Sequence, residues 1–331
     1  MHVDIHQHVW PDLFVEELRR RTQPPRLAGW TLLTRGEPPF AVNPADHDVA
    51  GRAAQAARDG VGRVVVGLSS PLGIEYLVPE DAKPLLDAYH DGIIELGAPF
   101  AGWAAASLTA IDPAGLARQL DRGFAGLQLP ATAVADEPGY LWCSPLLEVL
   151  AERDLPLFIH PGPAVVSTAG GPAWWPALVP YVQQLHAAWF AFRAYGRPAY
   201  PRLRVCFTAL AGLAPLHGER LAARGGADPL ARGAVDPRMF VETSSYGGRA
   251  IDSVLRVLGV DVLVFGSDRP YAQPHSGFGL GDAARHAIRV TNPARLLQAT
   301  GRPCGPSLTV HQERSDSNDL LRAPRPVSRP A

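Results

Sequence analysis

The stretch Val3-Asp4-Ile5-His6-Gln7-His8-Val9 decides how the rest of the chain is read. It has the character of a buried strand that carries a His-x-His pair. Residues two apart on a strand point to the same face, so His6 and His8 project together and can share one metal ion. Taken alone, the pair is equally well two histidines that happen to alternate on a terminal strand. The rest of the chain decides between these readings.

Working outward, apolar strand candidates recur at 63–69, 100–108, 124–129, 157–161, 203–210, 239–245 and 262–268. Helical stretches at 12–21, 43–59, 81–96, 113–122, 145–153, 175–195, 215–224, 248–258 and 282–299 lie between and around them. With the first strand this makes eight strands alternating with helices. Continuous apolar strands covered on both faces are the mark of a parallel sheet. Eight such units in about 300 residues predict an α/β fold of the (β/α)8 TIM-barrel type. An open doubly wound sheet is the alternative, but no Gly-x-Gly-x-x-Gly follows the first strand. Residues 22–43 interrupt the alternation: Trp30–Thr34 and Phe40–Val42 flank the turn Arg35-Gly36-Glu37-Pro38-Pro39 and suggest a two-stranded flap over the His pair. The barrel domain is expected to span residues 1–301. The Ser-, Pro- and Arg-rich residues 302–331 lack periodicity and are expected to form a disordered tail.

Composition removes several classes of function. The 331 residues are 47% hydrophobic with a net charge of -1, so nothing points to nucleic acid or to an anionic membrane surface. The richest apolar run, Trp174 to Tyr195, is broken by prolines and polar residues and reads as a helix that does not span a membrane. Cys143, Cys206 and Cys304 form no zinc ribbon and no Cys-x-x-Cys motif. Together with a polar start that lacks a signal-peptide core, they predict a cytoplasmic protein with free thiols. Lys83 is the only lysine, which removes P-loop chemistry and a carbamylated lysine bridging two metals.

In a TIM barrel the active site lies at the C-terminal ends of the strands. Strand 1 ends in His6 and His8, strand 5 in His160 and strand 8 in Asp268. His160 alone reads as an ordinary strand-end histidine, and Asp268 alone as a turn cap. Together, three imidazoles and a carboxylate at one barrel mouth make a suitable ligand set for Zn2+ or a similar divalent ion.

The His6-x-His8 pair, the strand Leu157–Pro161 with His160, the run Gly266-Ser267-Asp268-Arg269-Pro270 and the late Asn292-Pro293-Ala294-Arg295-Leu296-Leu297 resemble the amidohydrolase-related family. That branch of the amidohydrolase superfamily contains aminocarboxymuconate semialdehyde decarboxylase and resorcylate decarboxylases. The resemblance covers about residues 1–300. It implies that His6, His8, His160 and Asp268 bind a single ion, zinc as a rule and manganese in some members. Binuclear branches use a Lys or Glu on strand 4, which here reads Phe124-Ala125-Gly126-Leu127-Gln128-Leu129-Pro130 and has neither. One position departs from the pattern. Where the family carries an acid/base histidine at the end of strand 6, this chain has Ala209, which cannot carry a proton.

Two catalytic candidates compensate: Asp268, which can accept a proton beside the ion, and His275 in the loop after strand 8. His217 and His186 rank lower, and His47 and His90 read as surface helix residues. Glu242 on strand 7 could face inward or outward. For substrate binding, Trp10 follows the metal pair and could line the pocket, and Arg269 could clamp a carboxylate, with Arg35 on the flap a weaker second. Trp174, Trp175, Trp189, Phe190 and Phe192 form a stripe more typical of packing or a dimer interface, which leaves a homodimer open. The leading expectation is a mononuclear metal-dependent hydrolase acting on a small ester, lactone or amide. The alternative is a non-oxidative decarboxylase of an aromatic or unsaturated acid, and a third reading is a metal-binding barrel without catalysis.

Overall fold

Strands with no polar alternation need cover on both faces, and this chain supplies it by closing them into a ring. The computed structural model describes residues 1–164, 172–226, 233–274 and 279–298. Strand β1 (His2–Gln7) is followed by three short strands, β2 (Arg26–Ala28), β3 (Thr31–Leu33) and β4 (Phe40–Ala41). Then come β5 (Val61–Val66), β6 (Phe100–Gly102), β7 (Leu127–Pro130), β8 (Leu157–His160), β9 (Val205–Phe207), β10 (Met239–Glu242) and β11 (Leu263–Val264). β1, β5 and β6 pair in parallel, and β7 to β11 pair in parallel in chain order.

Two seams join these arcs. At one, the Ala104 N–H donates to the Gly126 carbonyl and the Gln128 N–H to the Ala104 carbonyl, both at 2.8 Å. At the other, the Ile5 N–H donates to the Phe265 carbonyl (3.0 Å), Asp268 to His6 (2.9 Å) and His8 to Arg269 (2.7 Å). The result is the expected (β/α)8 barrel, and its second seam brings the first and last ligand-bearing strand ends together. Inside it, Trp103 stacks on Phe158 with ring centroids 4.7 Å apart, and its indole N–H donates to the Ile5 carbonyl at 2.9 Å. Phe158 in turn meets the His6 ring edge-on, so the aromatic pair is the floor of the site.

Short aspartate caps start several of the surrounding helices. Asp48, Asp112 and Asp136 each accept the backbone N–H three residues on, at Gly51, Gly115 and Gly139. The Asp136 cap begins its helix at Glu137, eight residues ahead of the expected start at Pro145. Pro145 is tolerated inside because the Leu141 carbonyl, which a proline cannot satisfy, accepts a bond from the Ser144 hydroxyl at 2.9 Å. The aromatic helix splits into Trp175–Leu178 and Pro180–Ala191, because a residue before proline resists the helical conformation. Its stripe splits too: Trp189 and Phe192 are buried in the core, whereas Trp174 and Trp175 are exposed.

The flap has one strand more than expected. β3 pairs antiparallel with β4 in the anticipated hairpin, and β2 pairs antiparallel with β3 on its other side. The extra strand depends on a turn at Gly29, whose φ of 64° suits glycine. No helix among the described residues is long and apolar enough to cross a membrane. The expected disordered tail, 302–331, lies outside the described residues.

Candidate metal centre

His6, His8, His160 and Asp268 converge as the sequence predicts. One ligand atom from each lies within 4.8 Å of all the others. His6 Nε2 is 3.1 Å from His8 Nε2, and Asp268 Oδ1 is 3.4 Å from the first and 3.3 Å from the second. Around an ion with bonds of about 2.0–2.1 Å, the edge of a tetrahedron is roughly 3.3–3.4 Å, so these spacings fit such an ion.

The remaining ring nitrogens show which way each imidazole is set. His8 Nδ1 lies 3.0 Å from the Gly67 carbonyl, and His160 Nδ1 lies 2.8 Å from the Pro161 carbonyl. A carbonyl only accepts, so both Nδ1 atoms carry hydrogen and both Nε2 lone pairs are free. His6 Nδ1 faces the Glu242 carboxylate at 3.3 Å. Each ligand imidazole is therefore oriented by an acceptor behind it, the usual support for metal-binding histidine.

The electrostatics agree. Burial pushes His8 down, opposed by the adjacent Asp268 carboxylate, and burial, then the neighbouring His6 and His8, pushes His160 well below the ordinary range. Burial also opposes charge on His6, but Asp268 and then Glu242 outweigh it and raise its pKa. For Asp268, burial is outweighed by His6 and then His8, which hold the carboxyl at about 2. Burial thus works against charge on all three imidazoles, and the Asp268 carboxylate works for it.

Two non-glycine residues with positive φ stand beside the ligands: Asp268 itself at 56° and Ser245 at 63°. Such conformations cost on the order of 1–2 kcal/mol each, and here they turn Ser245 Oγ to within 3.5 Å of Asp268 Oδ2. Tyr271 tilts over the His8 ring with centroids 5.3 Å apart, and Phe40 of the flap meets Tyr271 at 6.2 Å. The Tyr181 hydroxyl donates to Glu37 Oε1 at 2.5 Å, tying the flap to the helix Pro180–Ala191.

A family model described as amidohydrolase matches residues 3–299. The chain belongs to the amidohydrolase family. A search of curated proteins finds no match. Among solved structures it is similar to the apo IDCase of Metarhizium anisopliae, with 17% identity over 90% of this chain and 97% of that one and a TM-score of 0.73. It is also similar to a 5-carboxyvanillate decarboxylase from Novosphingobium aromaticivorans complexed with manganese and 4-hydroxy-3-methoxy-5-nitrobenzoic acid, with 17% identity, 90% and 96% coverage and a TM-score of 0.65. A third is the 2,6-dihydroxybenzoate decarboxylase of Rhizobium, with 17% identity, 89% and 98% coverage and a TM-score of 0.62. At these identities the likeness shows the amidohydrolase barrel fold.

The other candidates fall in different places. The Arg269 guanidinium pairs with Asp59, and only its backbone carbonyl, which receives the His8 N–H, serves the site. This pairing takes the place of the expected substrate clamp. Trp10 is buried, stacked on His47 at 4.6 Å, and donates its indole N–H to Ser69 Oγ at 3.1 Å. Because Ser69 Oγ also lies 3.3 Å from His8 Nδ1, Trp10 braces the ligand from behind and is not an open pocket wall. Arg35 is exposed. His275 lies outside the described residues.

His47 and His90, expected on the surface, are both buried. His47 accepts the Trp10 N–H and His90 the Ala105 N–H, and burial pulls their pKa values to about 3 and about 4. Helix periodicity in the sequence could not expose this, because each histidine is recruited by a backbone donor from a different segment. Glu242 faces inward and is fully buried. The signal that could have placed it was Gly266, just past the neighbouring strand, where a Cβ would stand 2.2 Å from Glu242 Oε2.

Proposed function

We propose that this protein is a metal-dependent, non-oxidative decarboxylase of a small aromatic acid. The observation that carries this reading is the three-imidazole, one-carboxylate cluster at the mouth of a barrel shared with aromatic-acid decarboxylases, with Tyr271 over His8. His6, His8, His160 and Asp268 would hold one divalent ion, zinc or manganese; the manganese of the similar Novosphingobium structure supports the second choice. When bound, the ion supplies a fixed positive charge for the oxygens of the substrate.

The chain's own residues do the rest. Tyr271 and Phe40 offer aromatic surface at the mouth for a substrate ring. The flap, held by Tyr181 and Glu37, would limit water at the reacting carbon, where charge is worth most in a dry site. Loss of CO2 leaves an electron pair on that carbon, and a proton must replace the carboxylate. That proton comes from solvent, and Asp268 Oδ2, the carboxylate oxygen faced by Ser245 Oγ, would accept it from a water and pass it on to the carbon.

Hydrolysis of an ester, lactone or amide is the second reading, and Ala209 favours it, since the histidine proton donor of the family pattern is absent. One experiment separates the two. Zinc- and manganese-loaded protein is incubated in deuterated water with 2,6-dihydroxybenzoate, 5-carboxyvanillate and a panel of aryl esters and lactones. Release of CO2 with one deuterium at the former carboxyl carbon supports decarboxylation. Ester or lactone cleavage with no CO2 from any acid overturns it.

A further inference from the structure

The backbone of Ala209 is tied to the site through Glu242. The Ala209 N–H donates to Glu242 Oε1 at 2.6 Å, the Ser244 N–H to Oε2 at 2.8 Å, and the Ser244 hydroxyl also donates to Oε1. The fourth group facing this carboxylate is His6 Nδ1. We propose that Glu242 is the positioning residue of the metal centre: it locks His6 with Nδ1 protonated and Nε2 turned inward, and so sets how tightly the ion is held. This rests on the cluster being a metal site.

Three features of the fold place this carboxylate. Gly266 makes room for it: a Cβ there would stand 2.2 Å from Glu242 Oε2 and 2.9 Å from His6 Cβ. The chain after β9 turns in a left-handed run, with φ of 47° at Ala209, 49° at Leu210, 53° at Ala211, 58° at Gly212 and 66° at Leu213. Consecutive left-handed residues are rare and, Gly212 apart, cost on the order of 1–2 kcal/mol each. This run is held by the His186 ring nitrogen bonding the Gly212 carbonyl at 2.7 Å, and it begins by aiming the Ala209 N–H at Glu242. Lastly, two of the donors are backbone groups at strand ends, which cannot swing away.

Chemistry restricts the residue as well. Four donors meet two oxygens, and only an ionised carboxylate accepts on both. A glutamine would turn its NH2 against a donor, whichever way it lay. A carboxylate behind a ligand imidazole also raises the basicity of that ligand, which a neutral amide does not.

The test compares metal-free wild type with Glu242→Gln, Glu242→Asp and, as a control for loss of a buried carboxyl, Glu75→Gln. Zinc affinity is measured by competition with a chromogenic chelator, and Co2+ loading provides an absorption spectrum of the site. Glu242→Gln should weaken zinc binding about 10–100-fold and shift the Co2+ bands. Glu242→Asp, one methylene short, should fall between, and Glu75→Gln should stay within about twofold of wild type. Equal affinity and spectrum in wild type and Glu242→Gln would overturn the proposal while leaving the metal reading intact. Equal losses in Glu242→Gln and Glu75→Gln would also overturn it, since any buried carboxyl would then serve. If wild type itself binds no zinc, manganese or cobalt, the metal reading falls and takes this one with it. Should the glutamine variant not fold, the aspartate variant decides by the same comparison.

Discussion

The barrel mouth has two halves built on opposite principles. On one side, β1, β8, β10 and β11 end in the imidazole cluster, and Glu242 behind it is bonded through both oxygens. On the other, the loop after β5 buries Glu75 beside Ser70 and Gln128. There the Ser70 hydroxyl donates to Glu75 Oε1, while Glu75 Oε2 and Gln128 Oε1 have no partner among the described residues. Both glutamates are fully buried. The first sits among fixed donors, one of them the His6 ring nitrogen. The second has too few donors, and burial raises it to about 7, with the Ser70 bond pulling it only part of the way back. At equal depth the two sites differ in donor count, and the glutamate with few donors is the one that burial raises.

The largest expected effect breaks the first half outright. His160→Ala removes one of four ligands, and elemental analysis should find the roughly one ion per chain of wild type lost, with activity falling at least about 10²-fold. Retention of a full equivalent of tightly bound metal would show that His160 is not a ligand. The second prediction sharpens the other half. Between pH about 4.5 and about 7 the unfolded chain releases the Glu75 proton while the folded chain keeps it. The contribution of Glu75 to stability therefore falls as pH rises through that window and levels off above it, by on the order of 3 kcal/mol. In urea unfolding of the metal-free protein from pH 5 to 8, Glu75→Gln should gain on wild type by about that amount, and parallel curves would refute it.

The third prediction tests the boundary between the halves. The Gly67 carbonyl orients His8, and a Cβ on Gly67 would stand 2.4 Å from Gln128 Oε1. Gly67→Ala should push Gln128 off the Leu68 carbonyl and Ser70 Oγ, lowering stability by about 1–3 kcal/mol in thermal unfolding and metal affinity by less than His160→Ala does. The smallest effect is at the flap. Tyr181→Phe deletes one hydrogen bond, so KM should rise about 2- to 10-fold with kcat nearly unchanged, and an unaltered KM would mean that the flap is held by other contacts.

The uneven legibility of the sequence follows the same division. The ring of strands was readable because burial on both faces leaves unbroken apolar runs, and the four ligands because residue type and strand end coincide. The flap hairpin was visible in its Gly/Pro turn, but β2 was not, since three residues carry no period. What the sequence hid were interactions between segments far apart in the chain. His47, His90 and Trp10 were recruited by partners outside their own elements, and Arg269 was drawn to Asp59. The helix expected at 215–224 shrank to Gly218–Ala222 because the preceding turn is left-handed, a state that Ala and Leu do not advertise. The leading expectation was hydrolysis; the function proposed above is its alternative, decarboxylation, and the shared barrel fold alone does not choose between them.

The cluster spans the seam where the barrel closes. His6 and Asp268 stand roughly 260 residues apart in the chain, yet their ligand atoms are neighbours. A ribosome therefore releases the two imidazoles of β1 long before the carboxylate that completes the set. The imidazole of β8 follows, but the full set of four ligand groups exists only once the last strand has joined the first, so closing the barrel and completing the site are one event.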